Sequence, residues 1–329
     1  MMDMDGPTLA EEYFDLTSVE VAANHLQPVG SVGRKDSVQA AQTSHRLDIM
    51  YAWLVGDDPW SNNGRVYSGG NLSLIGGRVM DLGCGQGDLT GAMAAVLAKN
   101  PDLSKIKNSE PPSIVGVDPA SPDYGSPYTL HQAQSHLAQN ETLKAHLSFI
   151  LGKTAHEVLK SQHFDTVTLA HSIWYFPSVK MIRDTFQAIR EAGVKNLLLA
   201  EWAMSVSHTE AVPHLLAVLL QAQSPLQQGN VRTPISPTQI VALAAEAGWK
   251  VDNYVIFTPR EELQDGGWEL GMARDAVKLS NDSMPEALDQ SGQRLLHSIQ
   301  ASSSALEEAV RRNGKGRCMD VWTAVLSPA

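Results

Sequence analysis

Short apolar runs alternate with stretches of helical periodicity along most of this chain. Runs at 78–82 (RVMDL), 113–117, 146–151, 164–170 (FDTVTLA), 194–200, 249–257 and 319–326 have the length and β-branched content of buried strands. Between them, apolar residues recur at helical spacing. Val38, Leu47, Met50 and Leu54 share a face over 36–54, and a helix is expected at 88–99 and another within 127–139. Ile182, Phe186 and Ile189 line a helix opened by Pro177 and Ser178 and stopped by Gly193. Val212, Leu215, Leu216 and Leu219 mark 208–223, and Ser236-Pro237 caps a helix that Gly248 ends. Residues 261–312 read as mostly helical, with Leu288, Leu295, Ile299, Leu306 and Val310 in one stripe. Stretches 57–77 and 101–112 read as loop, and 1–34 lacks sustained periodicity, which predicts a partly mobile start.

Strands that alternate with helices predict an α/β fold with a doubly wound, mostly parallel seven-stranded sheet. The expected organisation is an N-terminal helical or lid segment at 1–70, a ligand-binding core at 71–258, a helical insertion at 259–317 that forms a lid or a homodimer face, and a final core strand at 318–329. Hydrophobic residues make up 43% and charged residues 19% of the chain, so a full core is expected. The net charge of −11 argues against a nucleic-acid partner, because the one dense basic cluster (Arg311, Arg312, Lys315, Arg317) reads as a solvated helix end. Two cysteines make no disulfide framework, the acidic start lacks a signal-peptide pattern, and no apolar run reaches membrane-spanning length. A reducing, cytoplasmic setting without membrane partners is expected, and the Asn-x-Ser/Thr matches at Asn71, Asn140 and Asn281 read as accidental.

The chemistry concentrates where the first strand ends. Asp81-Leu-Gly83-Cys84-Gly85-Gln-Gly87 follows a strand and opens a helix, so its backbone can turn sharply and lie against a ligand without Cβ interference. The second strand ends in Asp118-Pro119. The form ΦΦDΦGCGxG resembles motif I of class I S-adenosylmethionine-dependent methyltransferases, and Ile114-Val-Gly-Val-Asp118 resembles that family's second motif. The resemblance covers roughly 78–257 and the last strand. It implies the Rossmann-like methyltransferase fold, S-adenosylmethionine as cofactor and S-adenosylhomocysteine as product. It also implies cofactor contacts at Asp81, Gly83, Cys84, Gly85, Gly87, Asp118 and Pro119, with Asp118 on the ribose. The interval between the glycines and Asp118 exceeds the ~20 residues of a dinucleotide fingerprint, an excess the polar loop before the second strand can absorb. The third motif departs from the family. Gly152-Lys153-Thr154-Ala155 replaces an acidic residue with a small neighbour, which leaves Thr154 as the candidate adenine contact.

The fourth strand exits through Ala170-His171-Ser172-Ile173-Trp174-Tyr175-Phe176. In the resembled family this exit lies under the methionine half of the cofactor, which makes His171 and Ser172 candidates there. A small-molecule acceptor is expected beside it, with oxygen slightly favoured over nitrogen or sulfur. A hydroxyl or ammonium acceptor must lose a proton, and His171 is the first candidate base, followed by His208 and His214, while Glu201 is a candidate either to meet the acceptor or to pair with an arginine at the pocket rim. Trp174, Tyr175 and Trp202 are candidates for the acceptor pocket, with core packing as the competing role for the aromatics. Arg232 suits an acidic acceptor or a surface loop, and Tyr51 and Trp268 are candidate lid aromatics. No cluster has metal-ligand spacing, so no metal is expected. The competing readings are a non-transfer reaction around the bound cofactor, a non-catalytic cofactor-binding regulator and a nicotinamide dehydrogenase.

Overall fold

The computed structural model describes residues 8–60, 70–101, 112–223, 231–283, 289–314 and 316–329, with the side chains of 279–283 left out. Leu288, Lys315 and the side chain of Asn281 therefore lie outside the described residues.

The strands are β1 (Arg78–Leu82), β2 (Ser113–Asp118), β3 (Leu147–Leu151), β4 (Thr166–Ala170), β5 (Asn196–Trp202), β6 (Trp249–Phe257) and β7 (Val321–Pro328). They form one seven-stranded sheet in the order β3-β2-β1-β4-β5-β7-β6. β1 to β5 pair in parallel, and β7 runs antiparallel to both β5 and β6. The strand order turns back between β1 and β4, so the crevice beyond their carboxyl ends is the place where such a sheet binds ligands. β1, β2, β4 and β5 are buried almost throughout, as parallel strands covered on both faces must be. β6 is an edge strand whose exposed Lys250, Asn253 and Tyr254 discourage pairing with another chain. β5 continues two residues beyond the expected end, which places Glu201 and Trp202 inside the strand, both buried.

The expected helices form α3 (Val38–Val55), α4 (Asp88–Lys99), α5 (Leu130–Ala138), α7 (Val179–Glu191), α8 (Val212–Gln223), α9 (Pro237–Glu246), α10 (Asp265–Ser283) and α11 (Gln290–Asn313). Ile182, Phe186 and Ile189 are the buried face of α7, and Ser236 closes a capping box with Gln239 at the start of α9. Three short helices gave no periodic signal: α1 (Leu9–Phe14), α2 (Ser18–Ala22) and α6 (Ala155–Leu159). The expected mobile start is instead ordered from residue 8. Thr8 with Glu11 and Thr17 with Glu20 form capping boxes, and Phe14 and Val21 enter the core.

Two elements outside the sheet shape the site. α3 is buried on nearly all sides, including Gln42, Thr43, Ser44, His45 and Asp48, and Trp53 Nε1 donates to the Leu199 carbonyl of β5 at 2.9 Å. Val38, placed on its apolar stripe by spacing, is 42% exposed. α8, α10 and α11 share a second apolar core of Ala217, Leu220, Leu270, Ala273, Ile299 and Leu306, with Val310 packed against it. Leu295, from the same expected stripe, stays 37% exposed. No described helix is long and apolar enough to cross a membrane.

Candidate active site

The glycine loop is fixed from below. Gly83 has φ +73°, and its N–H donates to the Val117 carbonyl at 2.8 Å, joining the exits of β1 and β2. A Cβ on Gly83 would lie 2.6 Å from Cβ of Ser172, so only glycine lets the β4 exit approach this closely. The Ser172 hydroxyl donates to the Leu82 carbonyl at 3.0 Å, which locks that approach. Gly87 begins α4, and the Phe149 ring lies against both Gly87 and Gly116. Cys84 is buried, its Sγ accepts from Gln134 Nε2 at 3.6 Å, and burial raises its thiol well above the ordinary range. Around Gly85 (φ +55°) no atom lies within 4 Å of the direction a Cβ would take.

The two acidic residues take different positions. Asp81 is buried beneath the loop and accepts from Thr90 Oγ1 at 2.6 Å and Thr168 Oγ1 at 2.9 Å. Burial outweighs these bonds and raises its pKa to about 6. Asp118 turns toward the loop. Its Oδ2 accepts the Gly85 N–H and its Oδ1 the Ala120 N–H, both at 2.9 Å. A carboxylate offers about four acceptor sites, so roughly two remain on Asp118 for hydroxyl donors. Pro119 beside it is exposed.

Next to the loop is a buried cluster of polar side chains. His171 leaves β4 with φ +50°, a strained position for a non-glycine residue that turns its ring across β5. Its Nδ1 lies 3.3 Å from Glu201 Oε1, and its Nε2 lies 2.8 Å from His45 Nε2 on α3. Glu201 also accepts the N–H groups of Trp202 (3.0 Å), Ile173 (3.1 Å) and Trp174 (3.4 Å). Burial raises its pKa to about 7 against these donors. Trp202 packs against the rings of His45 and His171, and His214 meets it edge-on at 4.9 Å. From α10, Asp265 accepts from Gln42 of α3 and Glu269 from Gln221 of α8. Tyr175, on the short turn after the β4 exit, keeps 46% of its surface accessible. Desolvation there, with Glu269, Asp265 and Glu201 nearby, raises its phenol.

Several expected site residues stand elsewhere. Tyr51 is fully buried in the core, edge-on to Tyr13 at 5.7 Å, and has no surface for an acceptor. Trp174 is a core residue whose Nε1 donates to the Ile235 carbonyl at 2.9 Å. Thr154 spends its hydroxyl on the N-cap of α6, in a capping box with Glu157. His214 Nδ1 accepts the Met319 N–H at 3.1 Å, and burial with His171 nearby lowers its pKa to about 3, so it suits holding β7 better than taking a proton. His208 is exposed at the start of a short 3-10 turn, Arg232 is exposed, and Trp268 on α10 is 50% exposed.

Sequence reasoning missed His45, Arg46, Gln42, Asp265, Glu269 and Gln221. The polar run Gln42-Thr43-Ser44-His45-Arg46 inside an otherwise apolar helix was the one available signal. Arg46 lies close enough to Asp81, His171, Glu201 and Asp265 to act on all four charges, and its buried Nη1 has no hydrogen-bond partner. A buried donor without an acceptor costs about 1–3 kcal/mol, so this group is suited to an anionic ligand atom. Among the described residues, no group of three or more His, Cys, Asp or Glu side chains is arranged to hold a metal ion.

These features fit an amino-acid-bearing nucleoside: a Cβ-free backbone surface at Gly85, spare carboxylate acceptors at Asp118 and an unpaired guanidinium donor at Arg46. The profile of the methyltransferase domain family matches residues 70–254. Two proteins of Diaporthe leptostromiformis, methyltransferase phomM' and methyltransferase phomM, are each 31% identical over 75% of this chain and 72% of their own length. The crystal structure of a cyclopropane-fatty-acyl-phospholipid synthase-like protein from Lactobacillus casei is 25% identical, with a TM-score of 0.70 over 96% of this chain and 99% of that one. This chain belongs to the methyltransferase domain family and is a class I S-adenosylmethionine-dependent methyltransferase.

Proposed function

We propose that the enzyme methylates a small-molecule acceptor whose reacting oxygen or nitrogen gives up a proton at the polar cluster between α3, α8 and α10. The observation that carries this reading is the His171–Glu201 pair at the exits of β4 and β5, one residue from the serine packed on Gly83. S-adenosylmethionine supplies an already activated methyl group, so the protein's tasks are alignment and proton removal.

The backbone at Gly83–Gly85 carries the nucleoside, Asp118 takes the ribose hydroxyls, and Arg46 Nη1 takes the amino-acid carboxylate. Trp202 and Tyr175 line the acceptor side. Glu201, held in place by three backbone N–H donors, orients the His171 ring. The sequence reading slightly favours an oxygen acceptor. The acidic groups Asp265 and Glu269 around Tyr175 suit an acceptor that arrives as an ammonium equally well. The half-exposed Trp268 and the exposed Arg232 are rim residues in this reading, and helices α3 and α10 enclose the reaction.

The test is calorimetric titration with S-adenosylmethionine and S-adenosylhomocysteine, followed by incubation with a panel of phenols, carboxylic acids, amines and thiols while S-adenosylhomocysteine is measured. Cofactor binding and turnover with an oxygen or nitrogen acceptor are expected. Turnover with thiols alone would overturn the proton-removal reading. An enzyme that binds cofactor and leaves it intact after converting a substrate would overturn methyl transfer.

A further inference from the structure

The acids around the site differ in how far a solute can reach them. Asp81 and Glu201 are 2% and 1% exposed, and hydroxyl or backbone donors engage their oxygens. Asp265 and Glu269 are half-buried and therefore accessible, and they stand one turn apart on the same face of α10. Each has a single side-chain partner, and that partner is a neutral amide: Gln42 for Asp265 and Gln221 for Glu269. Among the described residues neither acid forms an ion pair. Arg46 acts on Asp265 only at longer range, and the groups that act on Glu269 by charge are two further acids, Asp265 and Glu201. Like charges at this spacing repel, and a carboxylate has about four acceptor sites, most of which stay free here.

Gln221 gives an independent sign of what the site takes. Its Nε2 donates to the side chain and to the carbonyl of Glu269. The carbonyl can only accept, so it fixes which end of the amide is Nε2 and leaves Oε1 as the open atom. That Oε1 is buried and has no hydrogen-bond partner, in a residue 5% exposed. Gln221 lies seven residues after His214, on the α8 face that turns His214 onto Trp202, so its amide belongs to the wall of the site. Tyr175 stands by the same group, since Glu269, Asp265 and Glu201 all act on its hydroxyl.

Resting on the methyl-transfer reading above, we propose that Asp265, Glu269 and Gln221 recognise a positively charged nitrogen of the acceptor, so that the substrate is an alkylammonium compound. A primary ammonium has three N–H donors and no acceptor, which matches two carboxylates and one amide oxygen. The aromatic ring of Tyr175 adds a surface that favours a cation. A neutral alcohol of the same shape brings one donor and no charge, and an anionic acceptor is repelled. Burial pushes both carboxyls toward the neutral form, and an arriving cation favours the ionised form of both. The three side chains hold the acceptor and move no proton, so they determine specificity.

The experiment is calorimetric titration of the protein saturated with S-adenosylhomocysteine, with benzylammonium and its neutral counterpart benzyl alcohol as probes. Benzylammonium is expected to bind ~10–100-fold more tightly, the range of hydrogen bonds to charged groups. The double variant Asp265→Asn with Glu269→Gln is expected to bind the two probes alike while its affinity for S-adenosylhomocysteine is retained. Both replacements keep side-chain shape and remove a charge, and thermal melts check that the fold holds. Either single variant, expected at an intermediate preference, carries the test if the double variant is less stable. Equal binding of the two probes by the parent protein, no binding of benzylammonium, or a preference that survives in the variants overturns the proposal. Failure of S-adenosylhomocysteine to bind counts against the methyl-transfer reading instead, and the probes can then still be titrated into the free protein.

Discussion

At the scale of single residues, Gly83 and Gly85 share a left-handed backbone and differ in what surrounds them. A side chain at Gly83 would collide with Ser172, whereas at Gly85 it would project into open space over the loop. Gly83→Ala therefore combines about 1–2 kcal/mol of backbone strain with an overpacking cost of about 1–3 kcal/mol, and its main effect is expected on stability. Gly85→Ala carries the backbone term of about 1–2 kcal/mol alone, and its main effect is expected on cofactor affinity. Denaturant midpoints and calorimetric affinities for S-adenosylhomocysteine should rank the two variants in opposite orders. If both lose affinity and stability in the same proportion, the open face of Gly85 is not where the nucleoside lies. His171 shows the same economy at a non-glycine residue, since its positive φ is what brings one ring between Glu201 and His45.

At the scale of elements, helices outside the sheet play different parts. Thr154 starts α6 with a reciprocal capping box, so its hydroxyl serves the helix end. Thr154→Ala is expected to cost about 0.5–2 kcal/mol of stability, while Thr154→Ser keeps the cap. S-adenosylhomocysteine affinity should be the same in both variants, measured by calorimetry beside thermal melts. A large loss of affinity in the alanine variant alone would return the hydroxyl to the adenine pocket that the sequence pattern suggested. α3 works differently. It buries a polar row against β5 and α10, and so turns a helix outside the sheet into one wall of the candidate site. The acidic ends Asp265 and Glu269 of α10 are held by Gln42 and Gln221, amides from two other helices.

At the scale of the whole molecule, buried acids make stability depend on pH. Asp48 on α3 is fully buried, both its oxygens lack hydrogen-bond partners, and the nearest cation, Arg260 Nε, is 3.9 Å away. Burial raises its pKa from 3.8 to about 8 despite Arg260. The sign follows from linkage. A folded-state pKa above the unfolded value means the folded form holds the proton more tightly, so this contribution is full below pH 3.8 and is lost as pH rises through about 8. Asp48→Asn keeps the shape and cannot ionise. Its melting temperature relative to the parent protein is expected to rise steadily across that window, as read by thermal melts at a series of pH values. A gap that stays constant with pH would mean that Asp48 is ionised in the folded protein.

Local physics decided much of this protein before any tertiary contact formed. Strands β1 to β7, the caps at Ser178 and Ser236, the glycine turn after Asp81 and the acid ending β2 are written in neighbouring residues, because periodicity, capping and φ preference act within a few positions. The family could be named from the same local signals. α1, α2 and α6 escaped because five or six residues are too few to show a helical period. The buried polar cluster of the candidate site escaped for another reason. His45, His171, Glu201, Asp265 and Gln221 lie far apart in sequence, and nothing near His45 marks it as the partner of a residue on β4. Only the packing of α3 and α10 over the carboxyl ends of the sheet brought these groups within hydrogen-bond reach, at distances that no local sequence pattern encodes.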